Sequence, residues 1–210
     1  TNTLQQLQIT HVLCTPTLWS LVSPLPSMIN IKKEFPYLQR IVLGGEPIPK
    51  SIINIWARKR RRPKFDKEED DDDGGCRLLA TYGVTEACVY QTCGEVFQND
   101  NNTGQYVGYP FRGTKIRICQ EDRQDSLIDV VNTDDTGEII LYGNQVDTHT
   151  GYLHRIDLNK QKFVTQEVIE ENEEEDGMMA VAVRKKVHYY RTGDRGYINP
   201  YDGSLTILGR

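Results

Sequence analysis

No cysteine pair in this chain has the spacing of a metal or redox motif. Cys14, Cys76, Cys88, Cys93 and Cys119 include no C-x-x-C pair, and their odd number fits no closed disulfide framework. Reduced thiols in a cytoplasmic protein are therefore expected. His11, His149, His154 and His188 are scattered, with no zinc-ligand spacing among them. A basic excess is also missing. The 25 Lys and Arg stand against 30 Asp and Glu, a net charge of −5, which argues against a general nucleic-acid binder. No apolar run approaches a membrane span, and Thr1-Asn2-Thr3 does not begin a signal peptide. The first residue is not Met, so the true N-terminus is expected upstream. There is no internal repeat.

What is present is the composition of an ordinary globular protein. The 210 residues are 38% hydrophobic and 26% charged, enough for one large domain or two small lobes with a real core. Leu4 to Ile9 reads as the end of a helix and His11-Val12-Leu13-Cys14 as a short strand closed by Thr15-Pro16. Thr17 to Val22 predicts a helical turn, Ile29 to Phe35 a weak helix, and Arg40 to Leu43 a buried strand. Ser51 to Arg60 predicts a helix with Ile52, Ile53 and Trp56 on its apolar face and Ser51 as N-cap. Strand, glycine turn and helix in alternation is the rhythm of a parallel α/β sheet, whose ligands collect at the carboxyl ends of the strands. Beyond about Asn102 short strands follow one another: Val107 to Pro110, Lys115 to Cys119, Ser126 to Val131, Gly137 to Tyr142, Val187 to Tyr190, Gly196 to Ile198 and Ser204 to Leu208. That spacing predicts a small antiparallel barrel-like lobe. The expected organisation is thus a partial parallel sheet with flanking helices over 1–104, then a β-rich lobe over 105–210.

Two charged stretches interrupt this pattern. The first spans 58–75, with a basic half like a nuclear localisation patch and an acidic half running from Asp66 to Asp73. The second runs from Glu167 to Asp176. Both read as solvated loops rather than as binding elements.

The chemistry concentrates in Leu78-Leu79-Ala80-Thr81-Tyr82-Gly83-Val84-Thr85-Glu86-Ala87. An apolar run enters a tight corner carrying an aromatic face, a hydroxyl and a carboxylate. Those groups can stack a base, donate to a phosphate oxygen and hold Mg2+. Gly44-Gly45-Glu46-Pro47 precedes the corner. Gly137-Glu138-Ile139 with Gly143 and Gly151-Tyr152, Tyr190-Arg191-Thr192-Gly193-Asp194 and Leu208-Gly209-Arg210 follow it. Each alone is a common turn; all of them in this order are not accidental.

In this set of motifs the chain resembles the adenylate-forming superfamily: acyl-CoA synthetases, luciferases and the adenylation domains of non-ribosomal peptide synthetases. The resemblance runs from Ile9 to Arg210, apart from the charged insertions. Among subfamilies the chain looks most like amino-acid-activating domains, and it resembles the aminoadipate-semialdehyde-dehydrogenase-like, beta-alanine-activating type. The resemblance implies that Tyr82 stacks on adenine, with Gly83 turning the chain beside it and Gly45, Glu46 and Pro47 opposite. It implies that Thr85 bonds the α-phosphate, that Glu86 binds Mg2+, and that Asp194 accepts from both ribose hydroxyls. Arg210 adds a donor near the ribose. Thr85 and Glu86 are thus the expected catalytic pair. The walls of a carboxylate pocket would be Cys14, Val42, Gly44, Thr81, Val89 and Tyr90, with plain core packing an equal reading for Val42 and Val89. The implied reaction joins a carboxylic acid to ATP as an acyl-adenylate, for transfer to a phosphopantetheine thiol on a carrier domain or to CoA.

The chain also departs from the pattern it resembles. Ala80 stands where the family often has Asn, and Thr150 where a basic residue usually precedes Gly-Tyr. The phosphate loop and the C-terminal lysine are expected outside Thr1 and Arg210, so the chain reads as an internal fragment ending at a hinge. Taken alone it is expected to bind ATP weakly and to exchange no pyrophosphate. A fatty or aryl acyl-CoA ligase is the alternative within the fold, and a non-catalytic interaction module the alternative outside enzymology.

Overall fold

The computed structural model describes residues 2–22, 31–60, 76–98, 105–120, 128–129, 136–147, 149–171 and 182–210. The chain begins with helix α1 (Asn2–Gln6), strand β1 (His11–Cys14) and helix α2 (Pro16–Val22). Helix α3 (Ile31–Glu34), strand β2 (Arg40–Gly44), helix α4 (Lys50–Trp56) and strand β3 (Arg77–Tyr82) follow. Strands β1, β2 and β3 pair in parallel, with Cys14 opposite Leu43 and Gly44 opposite Thr81. Their alternate residues face helices, so Ile41, Leu43 and Leu78 are fully buried. Trp19 and Trp56 cross edge to face at 5.0 Å, and Phe35 meets Trp56 at 5.3 Å. This aromatic cluster is the core of the first half.

The parallel rhythm stops at β3. Strand β4 (Thr92–Glu95) turns back antiparallel to it, and β5 (Tyr106–Pro110) pairs with β4. Gly94 and Gly108 pack on each other where these strands meet: a Cβ on Gly94 would stand 2.4 Å from the Gly108 Cα. Beyond them lie β6 (Thr114–Gln120), β7 (Ile128–Asp129), β8 (Gly137–Gly143), helix α5 (Ile156–Lys162), β9 (Phe163–Glu171), β10 (Ala182–Ile198) and β11 (Leu205–Gly209). They pair antiparallel, and the 11-stranded sheet runs β1-β2-β3-β4-β5-β11-β10-β8-β6-β7, with β9 on β10. This is the expected mixed fold of a partial parallel sheet followed by an antiparallel β-rich half. β5 bonds to both β4 and β11, so the sheet is continuous past residue 105.

Four sequence expectations change. The helix read over Ser51 to Arg60 is α4, shorter, and capped by Pro49 in extended geometry with no side-chain bond from Ser51. It ends at Trp56 because Ala57 is extended and Arg58 leaves the helix to pair with Glu95 at 2.8 Å. The acidic run does not begin as a loop. Glu167 to Glu171 lie on β9, with Glu167 opposite Lys186 of β10; residues 172–176 lie outside the described residues. An opposite charge across the ladder suits Glu167 to a strand. β4 and α5 were not expected at all. Of the 58–75 insertion, 61–75 lie outside the described residues.

Candidate functional site

The parallel strands bring three loop starts to one edge: Thr15 after β1, Gly45 after β2 and Gly83 after β3. Gly45 takes φ +83, the left-handed region that favours glycine. Glu46 then reaches back, accepting from the Thr17 backbone amide at 3.2 Å and the Thr17 hydroxyl at 2.5 Å. This ties the Gly44–Pro47 corner to α2.

Tyr82 closes β3 but packs into the second core, with Val107, Ile139, Tyr190 and Leu205. Its hydroxyl donates to Asp194 Oδ2 at 2.9 Å, across 112 residues of sequence. Asp194 sits on β10 where the pairing with β8 breaks register between Arg191 and Arg195. A buried framework holds that bulge. Thr192 donates its hydroxyl to the Ile139 carbonyl at 2.7 Å and accepts from the Asp194 amide at 2.9 Å. Gly193, at φ +78, donates its amide to Glu138 Oε1 at 2.9 Å. The other Glu138 oxygen accepts from Arg191 Nε at 2.9 Å and Nη2 at 2.6 Å. Arg210 Nε donates to Asp194 Oδ1 at 2.7 Å. Tyr82 and Arg210 leave part of the acceptor capacity of that carboxylate unused. Burial, then the Asp194 charge, push the Tyr82 hydroxyl well above the ordinary tyrosine range.

These groups surround a cleft of about 520 Å³ lined by Gly45, Glu46, Pro47, Tyr82, Gly83, Asp194 and Arg210, with Thr81, Val84, Gln105, Val107, Ile207, Leu208 and Gly209. Every residue expected to contact the adenosine part thus lies on one cleft. Thr85 and Glu86 lie beside it, on a single 3-10 turn (Thr85–Ala87) that directly follows the cleft residue Val84. Thr85 is exposed. Glu86 accepts from the Tyr152 hydroxyl, which is 3.1 Å from the Tyr190 hydroxyl. Burial alone would raise the Glu86 carboxyl. Hydrogen bonds from Tyr152, the backbone and Tyr190, with the Arg210 charge, outweigh it and hold the group below its ordinary range.

The expected pocket residues share the strand ends but do not line this cleft, except for Thr81. A Cβ on Gly44 would stand 2.5 Å from Thr81 Cγ2 and 3.4 Å from Tyr90 Cε1, so those side chains fill the space over the glycine. The Thr81 hydroxyl donates to the Thr92 carbonyl at 2.6 Å. Cys14 packs against the first core, and burial pushes its thiol up. Val42 is half-buried between Leu13 and Leu79 in register, and Val89 is exposed at φ +74. The sequence pattern assigns no role to Glu138, Thr192, Gln91 or Tyr190. Glu138 lay inside a motif already noted, but a motif does not say which side chain a carboxylate holds.

The geometry supplies an aromatic wall, a carboxylate with spare acceptor sites, a guanidinium beside it and a second carboxylate on the adjoining turn. Among the described residues no group of three His, Cys, Asp or Glu side chains converges on a metal position. A lone carboxylate kept ionised fits Mg2+ that takes its remaining ligands from substrate phosphates and water.

A family model described as AMP-binding enzyme matches residues 1–153. The chain is 29% identical over 209 residues to the nonribosomal peptide synthetase atnA of Emericella nidulans, covering 100% of this chain and 2% of that protein. The solved structure of PA1221, an NRPS protein containing adenylation and PCP domains, superimposes with TM-score 0.64 at 18% identity, over 99% of this chain and 29% of that one. ATP-bound MatB from Rhodopseudomonas palustris gives 0.62 at 20%, over 100% and 33%. At these identities the two structures speak for the fold alone. The chain thus spans a fiftieth of the synthetase and about a third of each solved chain.

Proposed function

The chain belongs to the AMP-binding enzyme family, and from that premise we propose that it holds the adenosine-binding part of a site that activates a small carboxylic acid, an amino acid, as its acyl-adenylate. The observation that supports this most directly is the cleft itself. Gly45 to Pro47, Tyr82, Asp194 and Arg210 come to it from separate stretches of sequence. In this reading adenine stacks on Tyr82 against Gly45–Pro47, and Asp194 accepts from the two ribose hydroxyls while Arg210 steadies it. Thr85 donates to the α-phosphate. A carboxylate oxygen of the acid attacks the α-phosphorus, the bond to the bridging oxygen breaks, and pyrophosphate leaves. Such a reaction needs alignment and charge stabilisation rather than a protein nucleophile.

Glu86 would hold Mg2+, held ionised by Tyr152 and Tyr190. When bound, the ion would offset the charge of the triphosphate. The acid would lie toward Gly44, Thr81, Val89 and Tyr90, with Cys14 and Val42 behind. Residues 1–104 and 105–210 would form two lobes with the nucleotide between them. The thiol acceptor would be a phosphopantetheine on a carrier domain or CoA. The carrier reading draws on the PCP domain named with PA1221.

Calorimetric titration of the chain with AMP and with 2′,3′-dideoxy-AMP tests the reading. Asp194→Ala removes two charge-assisted hydrogen bonds, about 1.5–3 kcal/mol each, so AMP affinity should fall roughly 100-fold or more, while dideoxy-AMP, which lacks both hydroxyls, should lose far less. Equal AMP affinity in the two proteins would remove the ribose role from Asp194. No AMP binding by the unaltered chain would end the proposal.

A further inference from the structure

The turn that carries Thr85 and Glu86 has an unusual backbone. It continues into Cys88 at φ +64 and Val89 at φ +74, consecutive non-glycine residues in the left-handed region, the second of them β-branched. Such residues persist only where their surroundings over-determine them. The loop also folds tightly on its own start: a Cβ on Gly83 would lie 1.8 Å from the Val89 carbonyl oxygen. Backbone bonds close part of this shape, the Ala87 and Val89 amides donating to the Val84 carbonyl at 3.2 and 3.1 Å, and the Gln91 side chain adds a second set across the turn.

Gln91 is 0% exposed. Its Oε1 accepts from the Val84 amide at 2.7 Å, and its Nε2 donates to the Ala87 carbonyl. Its backbone amide donates to the Tyr82 carbonyl at 2.8 Å, which fixes the side chain relative to the end of β3. The amide group therefore spans the Thr85–Ala87 turn from its first flank to its last residue. A carboxylate would keep the acceptor and lose the donor, and an apolar residue would lose both. The turn so held bears Thr85 and Glu86 on one side and leads into Val89 and Tyr90 on the other. Gln145, itself an acceptor for the Thr114 hydroxyl at 2.6 Å, donates to the Tyr90 carbonyl at 3.2 Å and closes the far end.

We propose that Gln91 is a positioning residue: its buried amide sets the geometry of the Val84–Tyr90 loop and so places Thr85 and Glu86 for the nucleotide. The second half of this statement rests on the nucleotide-binding reading above; the first does not. Amide hydrogen exchange by NMR reads the first half directly. In the unaltered chain the Val84 amide, bonded to Gln91 Oε1, should be protected. In Gln91→Leu it should exchange at least tenfold faster, and in Gln91→Glu, where the acceptor survives, it should stay protected. ATP titration reads the second half. Gln91→Leu should weaken ATP at least tenfold and Gln91→Glu severalfold, while Ile53→Val, a destabilising change in the α4 core, should leave ATP affinity unchanged.

Equal Val84 exchange in Gln91→Leu and the unaltered chain overturns the strut. Unchanged ATP affinity in that variant overturns its positioning role. Where Gln91→Leu does not fold, Gln91→Glu decides alone: weakened ATP with a protected Val84 amide supports the proposal, and unchanged ATP refutes it. Where the unaltered chain itself binds no ATP, the nucleotide reading falls, the positioning role falls with it, and Val84 exchange still judges the strut.

Discussion

Changing Glu138 to Gln tests whether the bulge that presents Asp194 is held electrostatically. Glu138 is 7% exposed, and one of its oxygens accepts both Arg191 Nε and Nη2 while the other accepts the Gly193 amide. The Gln side chain has the same shape and can keep the Gly193 bond. It cannot keep the pair with Arg191, because an NH2 group would then face guanidinium N–H donors or the Gly193 bond would be lost. Two hydrogen bonds to a charged acceptor are worth about 1.5–3 kcal/mol each, and breaking a fully buried pair costs about 3–5 kcal/mol. The two bonds share one oxygen, and the Arg191 side chain keeps 27% of its exposure, so water softens the loss. About 3 kcal/mol is expected. For a domain of this size that corresponds to a fall in Tm of about 6–12 °C, measurable by calorimetry. AMP binding should weaken as well, because Asp194 follows Gly193 directly. Replacing Arg191 by Met in the same chain removes the guanidinium that faces the Gln amide and should restore part of the stability. A loss below about 1 kcal/mol in Glu138→Gln, or a double variant less stable than the single one, would refute this account of the bulge.

Gly83→Ala places a methyl group 1.8 Å from the Val89 carbonyl oxygen, so the loop must move; AMP affinity should fall at least tenfold with a stability loss on the order of 3 kcal/mol, read by titration and chemical denaturation. Trp56→Ala removes the ring that both Trp19 and Phe35 pack against and should cost about 3–5 kcal/mol in denaturant unfolding. Tyr152→Phe removes the first of the hydrogen bonds that lower the Glu86 carboxyl. A carboxyl whose pKa is lower folded than unfolded adds stability above its unfolded value, ordinarily near 4.5, and loses it as pH falls through the folded value. Unaltered protein should therefore exceed Tyr152→Phe by about 1 kcal/mol at pH 7, discounted for the partial exposure of Glu86, with the gap closing in acid. A gap constant down to pH 3 would separate Tyr152 from the charge state of Glu86.

Much of the fold was legible because local pattern and tertiary need agree in the first half. Ile41, Leu43 and Leu78 form short apolar runs bounded by glycine, and they are the buried strands. The pattern misled where a strand is brief or charged. β4 is four residues with Gly94 inside, too short to show a period. β9 carries Glu167, Glu170 and Glu171, and sequence alone cannot show that Lys186, Val183 and Ala182 stand opposite them. α4 lost its last turn to the Arg58–Glu95 pair, a contact made across the fold.

The candidate site divides in the same way. The residue types that could bind a nucleotide follow from the sequence: an aromatic at the end of a buried strand, a carboxylate in a Thr-Gly-Asp turn, glycines where the backbone turns. Local sterics and hydrogen-bonding capacity decide these, and both are properties of a few neighbouring residues. That Tyr82 donates to Asp194 and packs in the second core, that Glu138 carries the bulge, and that Gln91 braces the turn before it are decided only by the packed sheet. Each depends on a hydrogen bond whose partner the linear pattern does not name, made obligatory by burial away from water.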